Sequence, residues 1–115
     1  MLLGGNGRDL LIGGAGADKL VGQAGDDILI AGKTDYGALD QALSDIMAAW
    51  NSAGTYATRV AQVSAFLNVS TVHDDGEQDM LTGAADADLF YGNLVDGVLD
   101  MINDKLPGES AIDEK

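Results

Sequence analysis

The chain has 115 residues, enough for one core but too few for two ordinary domains, and 19 Asp and Glu against 6 Lys and Arg give a formal charge of -13. That balance makes phosphate backbones and anionic lipid poor partners and cations good ones, while 46% hydrophobic residues argue against a disordered acidic chain. The absence of Cys leaves neither disulfides nor thiolate ligands, so a small domain would need another staple, such as a metal. No apolar run reaches the roughly 18 to 20 residues of a membrane span, and Met1-Leu2-Leu3 meets Gly4-Gly5 with no signal-peptide core.

From Gly4 the chain repeats with a period of nine: Gly4–Ile12, Gly13–Val21 and Gly22–Ile30 follow one another without a gap. Closely spaced glycines permit positive φ and bare backbone, so a six-residue turn can aim its carbonyl oxygens inward, and the Asp in sixth place (Asp9, Asp18, Asp27) adds a carboxylate. Three apolar residues close each unit as a short strand, in which alternation turns Leu11, Leu20 and Leu29 to one side as an inward ladder. One Gly-rich stretch alone would read as a linker, but three copies with Asp and Leu in register do not. A phosphate-binding loop is excluded, because such loops occur once before a helix and end in Lys-Ser/Thr. Met1-Leu2-Leu3 fits the end of a preceding unit, so a longer array upstream is expected.

A fourth unit starts at Ala31-Gly32-Lys33-Thr34, with Tyr36 in sixth place and the carboxylate at Asp35. From Gly37 the period becomes helical: Leu39, Leu43, Ile46, Met47 and Trp50, then Tyr56, Val60, Val63 and Leu67, predict a hairpin over 37–51 and 55–67 whose apolar stripe packs against a core. Thr71-Val72-His73 is expected to be the delayed strand of the fourth unit, making 37–70 an insertion and leaving His73 outward and solvated. Two weaker units follow, 74–82 and 83–91, with Asp79 and Asp88 in sixth place and Asp75, Glu77, Ala84 and Asp86 at glycine positions. Residues 92–115 form a closing segment: Asp100–Asp113 loosely resembles the piece that closes the rolls of serralysin-type proteases, and a strand or a short helix from Leu94 both remain open.

The order G-G-x-G-x-D-x-U-x resembles the hemolysin-type nonapeptide of RTX (repeats-in-toxin) proteins. The resemblance implies one mainly β domain over 1–115, a parallel β-roll (repeats 1–36 and 71–91) flanked by the helical hairpin. It also implies Ca2+ between neighbouring loops of one edge, held by carbonyls of the first and third residues of one loop, the second and fourth of the next, and both sixth-place Asp side chains. With half a turn per unit, loops 4–9, 22–27 and 74–79 would share one edge, and 13–18, 31–36 and 83–88 the other. One ion would then use Gly4, Asn6 and Asp9 with Gln23, Gly25 and Asp27, and a second Gly22, Ala24 and Asp27 with Asp75, Glu77 and Asp79. On the other edge one would use Gly13, Ala15 and Asp18 with Gly32 and Thr34, and another Ala31 and Lys33 with Ala84, Asp86 and Asp88, Asp35 standing in for the missing Asp.

Four ions would change the charge to -13 + 8 = -5 and couple folding to metal, so the chain would stay loose in a low-calcium cell and fold outside. The resemblance implies a structural and folding module of a secreted protein exported by type I secretion, monomeric, with calcium and upstream repeats as partners, and without nucleic acid or membrane insertion. The alternative is an adhesin-like interaction module presented by the insertion. An enzyme is not expected, since the chain has no Cys, one His, and carboxylates assigned to the loops. One sheet would expose Leu10, Ile12, Ile28, Ile30, Met80 and Thr82, the other Lys19, Val21, Thr71, His73, Leu89 and Tyr91, and the hairpin should cover the first across Ile28 and Ile30.

Overall fold

The computed structural model describes residues 2–14, 16–34, 40–67, 71–73, 76–84, 86–93, 100–102 and 110–113. Short apolar triplets between Gly- and Asp-rich loops form strands, and because each loop turns the chain at once no strand among the described residues exceeds five residues. In chain order these are β1 (Leu2–Gly5), β2 (Leu10–Ile12), β3 (Lys19–Gln23), β4 (Ile28–Ile30) and β5 (Lys33–Thr34), then α1 (Asp40–Trp50) and α2 (Tyr56–Val63). After the helices come β6 (Val72–His73), β7 (Met80–Thr82), β8 (Leu89–Gly92), β9 (Met101–Ile102) and β10 (Ser110–Asp113).

Successive repeat strands go to alternate sheets, giving two parallel four-stranded sheets in the orders β1-β3-β7-β9 and β10-β8-β4-β2. Equivalent positions align across each: Leu11 faces Leu29 and Leu29 faces Phe90 in one, while Leu20 faces Leu81 and Leu81 faces Ile102 in the other. Leu11, Leu20, Leu29, Leu81 and Phe90 from both sheets share one buried core with Ala31, so the expected inward ladder is present. Ile28 and Ile30 flank Leu29 on the strand and so take the opposite face. They are buried with Leu89, Tyr91, Ile46, Trp50, Val63, Leu67 and Val72 in a second cluster, to which Leu43, Met47 and Val60 add partial burial. Residues of the helical stripe thus share a cluster with Ile28 and Ile30.

Helix α2 is shorter than the periodicity predicts. Helix α2 starts at Thr55, whose hydroxyl accepts from Thr58 N at 3.3 Å, and is a turn by Ser64, whose Oγ donates to Val60 O at 2.7 Å. Residues 37–39, including Leu39, lie outside the described residues.

Three expectations are corrected. Val72 and His73 are not a roll strand: β6 pairs antiparallel with β5, Lys33 opposite His73 and Thr34 opposite Val72, forming the neck of the insertion. Both edges cross the insertion in a step of 61 residues against 18 within the repeat block. The net insertion is 61 − 18 = 43, nine more than the 34 of residues 37–70, and nine residues are a half-turn. Loop 83–88 therefore joins 4–9 and 22–27, while the segment ending at Asp79 stacks on 13–18. By the same half-turn Leu89 and Tyr91 lie beside Ile28 and Ile30, and Met80 and Thr82 beside Lys19 and Val21. Finally, Gly32 and Asp79, expected on different edges, both bond to the stretch from Gly14 to Asp18. Gly14 N donates to Gly32 O at 2.8 Å, and Asp18 N donates to Asp79 Oδ1 farther along the same stretch. The closing segment adds β9 to one sheet and β10 to the other, and Leu94 lies outside the described residues.

Candidate metal centre

At each edge the sixth-place Asp residues form a ladder. Asp9 N donates to Asp27 Oδ1 at 2.8 Å, and Asp27 N to Asp88 Oδ1 at 2.8 Å. At the other edge Asp18 N donates to Asp79 Oδ1, and Asp79 N to Asp100 Oδ1 at 2.8 Å. In Asp27, Asp79, Asp88 and Asp100 one carboxylate oxygen is thus spent on the neighbouring backbone. Among the described residues Oδ2 of Asp9, Asp18 and Asp27 is buried with no hydrogen-bond partner, a costly arrangement unless a cation meets it.

The first-place glycines explain where that oxygen sits. A Cβ on Gly4 would lie 2.8 Å from Asp9 Oδ2 and 2.7 Å from Gly22 O, and one on Gly13 would lie 2.9 Å from Asp18 Oδ2 and 2.7 Å from Ala31 O. On Gly22 and Gly83 it would overlap Asp27 Oδ2 and Asp88 Oδ2 outright. In the loops of Asp9, Asp27 and Asp88 the second and fourth places are left-handed whether or not glycine stands there: φ is 92° and 93° at Gly5 and Gly7, 73° and 109° at Gln23 and Gly25, and 70° and 72° at Ala84 and Asp86. Oxygens without partners beside bare backbone form an oxygen-only donor set, which suits a hard cation such as Ca2+. Among the described residues no three His, Cys, Asp or Glu side chains converge, so most donors would have to be carbonyls.

Residues 3–35 match the RTX calcium-binding nonapeptide repeat, in four copies. They are RTX repeats. Such repeats bind Ca2+, as structural and not catalytic modules, and occur in secreted proteins of type I secretion. No curated protein and no solved structure matches the chain.

Of the expected RTX ligands, Gly4, Asn6, Asp9, Gly22, Gln23, Ala24, Gly25 and Asp27 lie in adjoining loops, laced by Ala24 N donating to Gly5 O at 3.2 Å. Ala84, Asp86 and Asp88 join this edge: Gly25 N donates to Asp86 Oδ2 at 2.9 Å. Gly13, Asp18, Gly32 and Asp79 share the other edge. Asp79 and Glu77 are therefore not partners of Asp27, nor are Ala84, Asp86 and Asp88 partners of Ala31 and Lys33, because of the extra half-turn. Lys33 and Thr34 are taken into β5, away from the loops. Ala15, Asp35 and Asp75 lie outside the described residues.

Asn93 and Asp100 were not expected at the site. Asp100 Oδ2 accepts from Asn93 N at 2.8 Å, and Asp100 N donates to Asn93 O at 2.9 Å. The signal is Asp100-Met101-Ile102, which repeats the Asp-apolar-apolar order of Asp9-Leu10-Leu11 but falls outside the nine-residue count.

Burial, with Asp9, Asp26 and Asp86 nearby, pushes the Asp27 carboxyl up from 3.8 to about 7. The folded metal-free chain therefore holds a proton that the unfolded chain has lost, and the stability this confers disappears as pH rises through about 7. Calcium needs the ionised carboxylate.

Gln23 and Ala84 carry side chains at left-handed φ, which costs ~1–2 kcal/mol against ~0.5–1 kcal/mol for the freedom of an unfolded glycine. Gln23→Gly and Ala84→Gly should each stabilise the calcium-loaded protein by about 0.5–1 kcal/mol in denaturant unfolding. A lower midpoint would count against the loop conformation.

Proposed function

We propose that the chain is a calcium-dependent folding module of a secreted protein, its two sheets closing into a β-roll with the helical hairpin on one flank. The observation that carries this is the pair of Asp ladders with buried, unshared oxygens at Asp9, Asp18 and Asp27.

In the observed register the strongest site uses Gly4, Asn6 and Asp9 with Gln23, Gly25 and Asp27. The next uses Gly22, Ala24 and Asp27 with Ala84, Asp86 and Asp88. On the other edge a third ion would use Gly13 and Asp18 with Gly32 and Asp79, and a fourth would draw on Ala31, Asp79, Asn93 and Asp100. Without the ion, stacked carboxylates repel and the glycines forfeit entropy. Each ion at about 100 times its Kd adds about 2.7 kcal/mol to the folded state. In a low-calcium cell this balance favours a loose chain fit for export, and outside it favours the folded one. The edges of β1 and β2 would accept a further repeat of the same kind from upstream.

Among the described residues the exposed large hydrophobics are Leu2, Leu3, Met80 and Met101, none of them on α1 or α2, whose stripe is taken up by the second cluster. Among the described residues no helix is long and apolar enough to cross a membrane. Calorimetric titration tests the proposal: tight, saturable Ca2+ binding with a far weaker response to Mg2+, whose octahedral shell fits carbonyl cages poorly, is expected. Absence of Ca2+ heat would overturn it.

A further inference from the structure

The helical insertion reaches one edge of loops through three side chains. Trp50 Nε1 donates to Asp26 O at 2.6 Å, and Tyr56 Oη donates to Asp88 O at 2.6 Å. Arg59, 3% exposed, pairs its Nη2 with the Asp26 carboxylate and stacks 4.6 Å from the Trp50 ring. The other Asp26 oxygen accepts from Ala87 N at 2.9 Å, joining loop 22–27 to loop 83–88. From the opposite direction Arg8 Nη1 donates to Trp50 O and Ser52 O, both at 3.0 Å.

These contacts land on the peptide units that aim the Asp ladder. A peptide group is planar, so holding Asp26 O also orients the N–H of Asp27, which donates to Asp88 Oδ1. Holding Asp88 O likewise orients Leu89 N, which donates to Asp27 O at 2.8 Å.

We infer that Trp50, Tyr56 and Arg59 are positioning residues for calcium between loops 22–27 and 83–88, so that this edge retains its ion only with the insertion docked. The inference rests on the calcium-module reading. Nothing in the repeat itself assigns the helices a part in metal binding; the bonds above do.

The test is calcium release from the saturated protein into a fluorescent chelator, followed by stopped flow, since such changes fall mainly on the off-rate. Asp88→Asn and Asp79→Asn first assign the release phases to the two edges. Tyr56→Phe removes one donor and keeps the ring, Trp50→Phe removes one donor and leaves a smaller aromatic ring in place, and Arg59→Lys keeps the charge without the fork. Each should quicken the Asp88 phase about three- to tenfold, the worth of one hydrogen bond, and leave the Asp79 phase as in the wild type. Unchanged release overturns the inference. So does equal quickening of both phases, or the same effect from Met47→Ala, which loosens the cluster without touching a loop. A wild type that binds no calcium would instead overturn the calcium reading, and this inference with it.

Discussion

Asp27→Ala should raise the calcium concentration needed for folding far more than Asp9→Ala. Asp27 stands in the middle of its ladder: its carboxylate accepts from Asp9 N, its own N–H donates to Asp88 Oδ1, and it is fully buried. In the proposed register it serves two ions and Asp9 serves one. Losing two ions at about 100 times their Kd removes about 5 kcal/mol of linkage, comparable with the whole stability of a small domain, against about 2.7 kcal/mol for one. Asp79 occupies the same middle place at the other edge, between Asp18 and Asp100, so Asp79→Ala should exceed Asp18→Ala in the same way. Calcium titrations of the four variants decide the matter. Equal shifts within each pair would contradict the ladder arrangement.

Gly22→Ala should be more damaging than Gly5→Ala, although only Gly5 has a positive φ, of 92°. At Gly5 a Cβ meets nothing within 4 Å, leaving only left-handed strain of about 1–2 kcal/mol. At Gly22 the Cβ would overlap Asp27 Oδ2, the oxygen offered to both ions, so overpacking of about 1–3 kcal/mol is joined by the loss of those ions. Unfolding in excess calcium would then show Gly22→Ala as the less stable by several kcal/mol. The reverse order would mean that the glycine serves the turn and not the metal cradle.

The inward ladder of Leu11, Leu20 and Leu29 was legible because the eighth place of an unbroken nine-residue unit always faces the same way. The Asp9–Asp27 partnership was legible for the same reason. What failed was counting through the insertion. Lys33-Thr34 and Val72-His73 look like loop and strand of a repeat, yet they bond to each other as a neck. Nothing in residue type distinguishes these pairings, and the slip of nine residues exchanged the edges of Asp79 and Asp88 and the sheets of Leu89 and Met80. Asp100 stayed hidden because it falls outside the nine-residue count. The contacts of Trp50, Tyr56 and Arg59 with Asp26 and Asp88 could not be read from periodicity, which reports a helix's apolar face but not where its polar tips arrive.

The central claim is that calcium and the fold are one equilibrium. Its most direct measurement is far-ultraviolet circular dichroism with Trp50 emission, recorded in millimolar Ca2+ and again after exhaustive chelation. Trp50 is the only tryptophan and is fully buried, so its emission reports whether the insertion is docked. Chelation should abolish the strand signal and shift Trp50 emission to that of a water-exposed indole, with both restored together by Ca2+ and not by Mg2+. Strand signal and emission that survive chelation unchanged would contradict it.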